Sequence, residues 1–169
     1  FTTAPAGQLA ELVSLPAVRA GMSRIVAAGW PATMILLYDE AWAITLHFAS
    51  LVGALSGNEM SFDMLAWLVA PARGEAGFAP HRDRQPADVR GSFRADGVPK
   101  YCTAWVALGD ATPDNSCMYL IPRGADPAYD DGDDDSPGDE DPLIHLLRSD
   151  RAVQSIRACP LPAGGALIF

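Results

Sequence analysis

The sequence is poor in the features that crosslinked and membrane-spanning proteins need. It has only three cysteines, an odd number without a CxxC spacing: Cys102, Cys117 and Cys159. Neither a disulfide framework nor a structural zinc site is therefore expected, and a reduced, cytoplasmic environment is predicted. No run of about 18 apolar residues is present, so no membrane-spanning helix is predicted. At 169 residues, the chain can bury the core of one domain without such crosslinks.

Basic charge is scarce as well. The formal net charge is −9, from 21 acidic and 12 basic residues, and eight of the acids lie within residues 130–141. Without that segment, 13 acids face 12 bases, so the rest of the chain is close to neutral. This balance argues against nucleic acid and anionic membranes as partners. The Gly, Pro, Ser and Asp content of residues 130–142 cannot form a core and predicts a solvated loop.

The hydrophobic pattern changes along the chain. Residues 1–60 are predicted to be helical, with helices over residues 7–14, from Pro16 to about residue 28, and over residues 39–57, where Asp39 is a good N-cap and Gly57 a helix stop. Residues 61–169 show short apolar runs separated by Pro and Gly turns, and strands are expected over residues 64–69, 77–83, 101–108, 117–121, 153–159 and 166–169. A single domain is predicted, mainly β, with N-terminal helices outside a β core.

One triplet carries recognisable chemistry, His81-Arg82-Asp83. In an extended segment, residues i and i+2 point to the same side, so His81 and Asp83 would lie together while Arg82 faces away. An imidazole and a carboxylate are two thirds of the 2-His-1-carboxylate triad that binds Fe(II) and leaves three positions open. Taken alone, the triplet is better explained by an exposed histidine and an aspartate paired with nearby arginines than by an iron site.

Three sequence segments, which occur in a particular order, favour the iron-site interpretation of the triplet. HRDR at 81–84, KYCTAWVALGDATPDNSCMYLIPRGAD at 100–126 and PAGGALIF at 162–169 together resemble the phytanoyl-CoA dioxygenase family. The resemblance extends from about Trp30 to the end of the sequence. It implies a double-stranded β-helix (jelly roll, cupin-like) and the oxidation of a small organic molecule with Fe(II), 2-oxoglutarate and O₂. Halogenating relatives lack the carboxylate that Asp83 supplies, so hydroxylation or a related oxidation is expected.

The resemblance also assigns roles to single residues. His81 and Asp83 correspond to the first two iron ligands and are the expected catalytic pair. Trp105 matches a strand position beside the metal and the co-substrate, and Thr103, on the same face by alternation, could hydrogen-bond a carboxylate. For Thr103 and Trp105 ordinary strand packing is the alternative. The family's second histidine ligand and its 2-oxoglutarate-binding arginine would follow Phe169, so a C-terminal part of the domain is expected to be missing.

The chain departs from the family pattern in two turns. Asn115-Ser116 stands where Asn-Gly is usual, and Arg123-Gly124-Ala125 where Gly-Ser-His is usual. His145 is the only other candidate ligand, because His47 lies at the edge of the apolar stripe of a helix; both are expected to be structural or surface residues. Two alternative functions remain: a non-catalytic jelly-roll module with an incomplete metal site, and a cupin-type metal-dependent hydrolase or isomerase. The substrate and the oligomeric state are not predicted.

Overall fold

A computed structural model describes residues 1–7, 9–75, 77–78, 80–83, 92–127, 129 and 149–169. The predicted acidic loop at 130–142 and His145 lie outside these residues.

The N-terminal part is helical, as predicted from the periodicity. The described helices are α1 (Leu9–Leu12), α2 (Leu15–Ala27), a 3₁₀ segment (Ala32–Leu37) and α3 (Asp39–Ser56). Gly57 ends α3 in the left-handed conformation, with φ 70°. The N-cap of α3 is Tyr38 and not Asp39, which is the first helical residue and places its carboxylate near the positive end of the helix dipole. No helix among the described residues is both long and apolar enough to cross a membrane.

Five short strands form two antiparallel sheets within the described residues. They are β1 (Thr2–Ala4), β2 (Ala104–Val106), β3 (Met118–Leu120), β4 (Arg157–Cys159) and β5 (Ala166–Ile168). One sheet has the order β1-β5-β2 and the other pairs β3 with β4. Hydrogen bonds continue the β2–β5 pairing past the strand ends: Thr103 and Phe169 exchange two, and so do Ala111 and Leu161. These strands confirm the cores of four of the six predicted strands.

The remaining strand predictions were wrong. Residues 64–69 form no strand, because no described strand lies beside them to pair with. Their alternate side chains Ala66 and Leu68 pack against the helices. The described residues of 77–83 are irregular. Residues 153–154 belong to helix α4 (Asp150–Gln154), which starts where the Ser149 hydroxyl accepts a hydrogen bond from the Ala152 amide. Strand β1 lies in the part that was predicted to be helical.

The β1-β5-β2 sheet separates two hydrophobic cores. On one face, Ala166 and Val106 join the helical core, which centres on Leu9, Met22, Ile44 and Phe48. On the other face, Leu167 and Trp105 join the inner core, which contains Cys117, Cys159 and Leu161 from the β3–β4 side. Alternation along β2 and β5 produces this division, because successive side chains point to opposite faces. Thr103, two residues before Trp105, therefore lies on the inner face.

Two turns next to the sheets need unusual backbone angles. Gly164, before β5, has φ +83°, and a Cβ atom there would lie 2.8 Å from the Cβ of Ala6. Both the conformation and the close approach require glycine at this position. Ser116, before β3, also has a positive φ of 70°, which is uncommon for a residue with a side chain.

Candidate metal centre

His81 and Asp83 lie side by side, although their segment is not a regular strand. The imidazole Nε2 is 3.1 Å from the Asp83 Oδ1, and the two side chains remain 42% and 35% exposed. The edge of the His81 ring meets the Phe78 ring, with the ring centroids 5.8 Å apart. The pair is thus accessible to solvent, and an aromatic neighbour contacts the imidazole.

The segment just before β2 binds both the side chain and the main chain of Asp83. The Thr103 hydroxyl donates a hydrogen bond to Oδ2 over 2.7 Å, and the Tyr101 hydroxyl donates one to the Asp83 carbonyl over 3.0 Å. Because Oδ2 accepts from Thr103 and Oδ1 faces His81, the two carboxylate oxygens have different neighbours. Thr103 also exchanges main-chain hydrogen bonds with Phe169, so the end of β5 lies beside this site.

Arg82, the residue between them, is bound on its other side. Its Nε and Nη2 atoms donate to the two carboxylate oxygens of Asp126 over 2.7 and 2.8 Å. The two side chains are only 9% and 10% exposed. This is the two-fold, charge-assisted geometry in which arginine binds a carboxylate most strongly. The triplet therefore directs a solvent-accessible pair to one side and a buried ion pair to the other.

Asp126 follows a 3₁₀ turn, Arg123–Ala125, that several contacts hold in place. The Arg123 guanidinium carbon lies 4.4 Å from the centre of the Phe93 ring and 4.8 Å from that of Tyr129. Such cation–π contacts restrict both the arginine and the rings. In addition, Arg151 of α4 donates a hydrogen bond to the carbonyl of Gly124 over 3.1 Å.

His81 and Asp83 contact each other directly, at the distance of a hydrogen bond or ion pair, and this separation is also compatible with two ligands of one metal ion. Adjacent ligand atoms of an octahedral ion with bonds of about 2.1 Å are about 3.0 Å apart, close to the 3.1 Å between Nε2 and Oδ1. Neutral imidazole and carboxylate are also donors that suit Fe(II). Within the described ranges, no group of three or more His, Cys, Asp or Glu side chains is arranged to hold a metal ion. His81 and Asp83 thus fit as two members of a larger ligand set.

The other candidate residues lie further from the pair. Trp105 is half-buried and packs into the inner core opposite Leu167. His47 sits on α3, where its ring contacts Phe48 edge-on with centroids 4.8 Å apart. Burial raises the pKa of the Cys102 thiol, which favours the neutral thiol over the thiolate that binds metals.

Sequence reasoning missed two residues of this region. Tyr101 could have been found, because it precedes Thr103 by two positions and shares its face by alternation. Asp126 could not, because it lies 44 residues from Arg82 and no local pattern joins the two.

Comparison with known proteins supports the resemblance. A family model described as phytanoyl-CoA dioxygenase (PhyH) matches residues 32–169. Neither the search of curated proteins nor that of solved structures gave a significant match. Members of the matched family are generally Fe(II)- and 2-oxoglutarate-dependent oxygenases. Since the match covers well over half of the 169 residues, the chain belongs to the phytanoyl-CoA dioxygenase family.

Proposed function

We propose that the protein is an Fe(II)- and 2-oxoglutarate-dependent dioxygenase that hydroxylates or otherwise oxidises a small organic molecule. In this proposal the domain is a jelly roll, and His81 and Asp83 are two of its three iron ligands. The observation that carries the proposal is that His81 and Asp83, an imidazole and a carboxylate, lie side by side with Nε2 and Oδ1 3.1 Å apart and both side chains accessible to solvent. Family membership supplies the reaction class.

The residues around the pair would determine how the ligands bind. Because the Thr103 hydroxyl donates to Oδ2, Asp83 would offer Oδ1 alone to the metal and occupy a single coordination position. His81 would bind through Nε2, which faces the same space. Bound iron would supply the activation of O₂, with electrons from 2-oxoglutarate, while these residues fix which positions remain open.

The rest of the site is proposed on the inner face of the β1-β5-β2 sheet. Thr103 contacts Asp83, and Trp105 lies two residues further along the same face, where it would border 2-oxoglutarate. The main chain of Phe169 pairs with Thr103, so the end of β5 lies beside the same part of the site. A substrate of small size and a cytoplasmic location belong to the same proposal.

Turnover of 2-oxoglutarate tests this function. The full-length protein, supplied with Fe(II) and a panel of small organic molecules, should convert 2-oxoglutarate to succinate. His81→Ala and Asp83→Ala should each lower this rate more than about a hundredfold, because loss of a ligand exceeds the ten- to hundredfold effect of a residue that only supports one. The matched control is Glu75→Gln, which removes a carboxylate from an exposed pair with Arg73.

The outcomes separate the alternatives. Turnover retained in both ligand variants would contradict the metal-ligand assignment. Metal binding by the wild type without any consumption of 2-oxoglutarate would favour a cupin-type hydrolase or isomerase. If the wild type neither binds metal nor consumes 2-oxoglutarate, the non-catalytic jelly-roll module is favoured.

A further inference from the structure

The burial of the Arg82–Asp126 pair is unusual for the described part of the molecule. Its side chains are 9% and 10% exposed, whereas those of the Arg73–Glu75 pair are 64% and 42% exposed. Two charges are rarely removed from water without a strong mutual contact, and here two parallel hydrogen bonds supply it. The Arg82–Asp126 pair is therefore not a solvent-exposed surface ion pair like Arg73–Glu75.

The position of Arg82 gives the pair a second consequence. Arg82 lies between His81 and Asp83, and its main-chain dihedrals determine the direction in which both neighbouring side chains leave the backbone. The segment is not held by a sheet, since residues 80–83 are irregular. Contacts to Asp126 and Tyr101 therefore take the place of strand pairing.

Asp126 is well placed to hold Arg82 still. It directly follows the Arg123–Ala125 turn, which is itself held through the cation–π contacts of Arg123 and the hydrogen bond from Arg151 to Gly124. The pair thereby joins the candidate metal segment to the end of β3, across 44 residues of sequence. Tyr101 holds the same segment from the side of β2.

We propose that Asp126 is a positioning residue for the metal centre: by binding Arg82 on the side opposite to the ligands, it fixes the geometry of His81 and Asp83. This inference rests on the proposed function, because it needs a metal ion at the pair. The carboxylate also lies against a cation that is one residue from each ligand, and so reduces the repulsion between that cation and a divalent ion. Removing Asp126 therefore weakens metal binding although Asp126 does not touch the metal.

Metal affinity, and not activity alone, tests the proposal. Co(II) binding to the full-length protein is followed by titration calorimetry and by the visible absorption of the bound ion, which reports its coordination geometry. Asp126→Asn should raise the Co(II) Kd ten- to hundredfold, the usual effect of losing a residue that orients a ligand. Asp126→Glu, which retains the charge, should recover most of the affinity, and Glu75→Gln should change nothing.

A double variant separates positioning from folding. Arg82→Met combined with Asp126→Leu removes both buried charges, so the folded state should be retained, which a thermal melt verifies. Positioning predicts that this variant still binds Co(II) weakly and with an altered spectrum. Wild-type affinity and spectrum in the folded double variant would overturn the proposal.

The same experiment distinguishes failure of the proposed function. If the wild type binds no Co(II), or if His81→Ala binds it as tightly as the wild type, the metal site is not where we propose it, and Asp126 has no metal centre to position. If the wild type binds Co(II) and His81→Ala does not, the result for the double variant decides the role of Asp126 alone.

Discussion

Three consecutive residues form two polar pairs with contrasting environments. His81 and Asp83 contact each other at 3.1 Å and remain 42% and 35% exposed. Arg82, between them, binds Asp126 at 2.7 Å with both side chains about nine-tenths buried. A buried pair strongly resists separation, whereas an exposed pair is weak and can exchange its contact for a ligand. The buried Arg82–Asp126 pair therefore holds the segment in place, and the exposed His81–Asp83 pair is available to bind a ligand.

The inner face of the β1-β5-β2 sheet shows the same division along its length. Around Leu167, which is 0% exposed, the face is closed by the inner core. Toward Thr103 and Phe169 the sheet ends beside the exposed pair. The closed end fixes the strands, and the open end presents the polar groups.

Breaking the buried pair should have the largest effect on stability. Asp126→Ala leaves the Arg82 guanidinium buried without that carboxylate, and it should lower the free energy of unfolding by about 3–5 kcal/mol. Urea denaturation measures the change. Glu75→Gln, in the exposed Arg73–Glu75 pair, should cost at most about 1 kcal/mol. Equal losses in the two variants would contradict the contrast between buried and exposed pairs.

A stabilising substitution near β3, the strand that leads to Asp126, tests the same contrast through a gain of stability and not a loss. Ser116 has a positive φ of 70° two residues before β3. Ser116→Gly should raise the free energy of unfolding by about 1 kcal/mol, because glycine adopts this conformation without steric cost. Thermal or urea unfolding provides the measurement.

A second serine is the matched control for that substitution. Ser155 has a negative φ of −95°, so Ser155→Gly should destabilise the protein by about 0.5–1 kcal/mol through the greater freedom of the unfolded chain. Destabilisation of similar size at both positions would show that the backbone at Ser116 is not strained.

The smallest expected effect concerns the segment just before β2, which contacts the exposed His81–Asp83 pair. Cys102 lies between Tyr101 and Thr103, and burial raises the pKa of its thiol. A raised pKa leaves less thiolate at pH 8, so iodoacetamide should modify Cys102 more slowly in the folded protein than in urea, with a rate that still increases above pH 9. Peptide mass spectrometry follows the modification. Equal rates in folded and unfolded protein would mean that the Cys102 thiol is not protected by burial and that this segment is as accessible to solvent as the His81–Asp83 pair.

Local patterns predicted the parts of the molecule that local forces determine. The periodicity of α3 and the glycine after it located that helix to within a residue, and the turn residues around β2, β3 and β5 located those strands. The two-residue spacing of His81 and Asp83 predicted that their side chains lie together, and they are in contact although the segment is not a regular strand. Alternation likewise placed Thr103 on the same face as the site.

Contacts distant in sequence were not predictable in this way. Nothing near Arg82 indicates Asp126, because an ion pair across 44 residues depends on how the strands assemble. Residues 64–69 have the composition of a strand but lack a partner among the described residues, and a strand needs one. Strand β1 was missed because, among the described strands, its three residues pair with the C-terminal strand β5, which is distant in sequence.

Metal binding by the His81–Asp83 pair is the central claim, and its stoichiometry is the most direct test. Fe(II) bound by the full-length protein is measured without oxygen and in chloride-free buffer, in the wild type and in Asp83→Ala, alongside the melting temperature of each metal-free protein. We predict one Fe(II) per wild-type chain and none in Asp83→Ala. The melting temperatures should differ by no more than about 2–4 °C, since an exposed pair contributes about 1 kcal/mol or less. One tightly bound Fe(II) in Asp83→Ala would contradict the account.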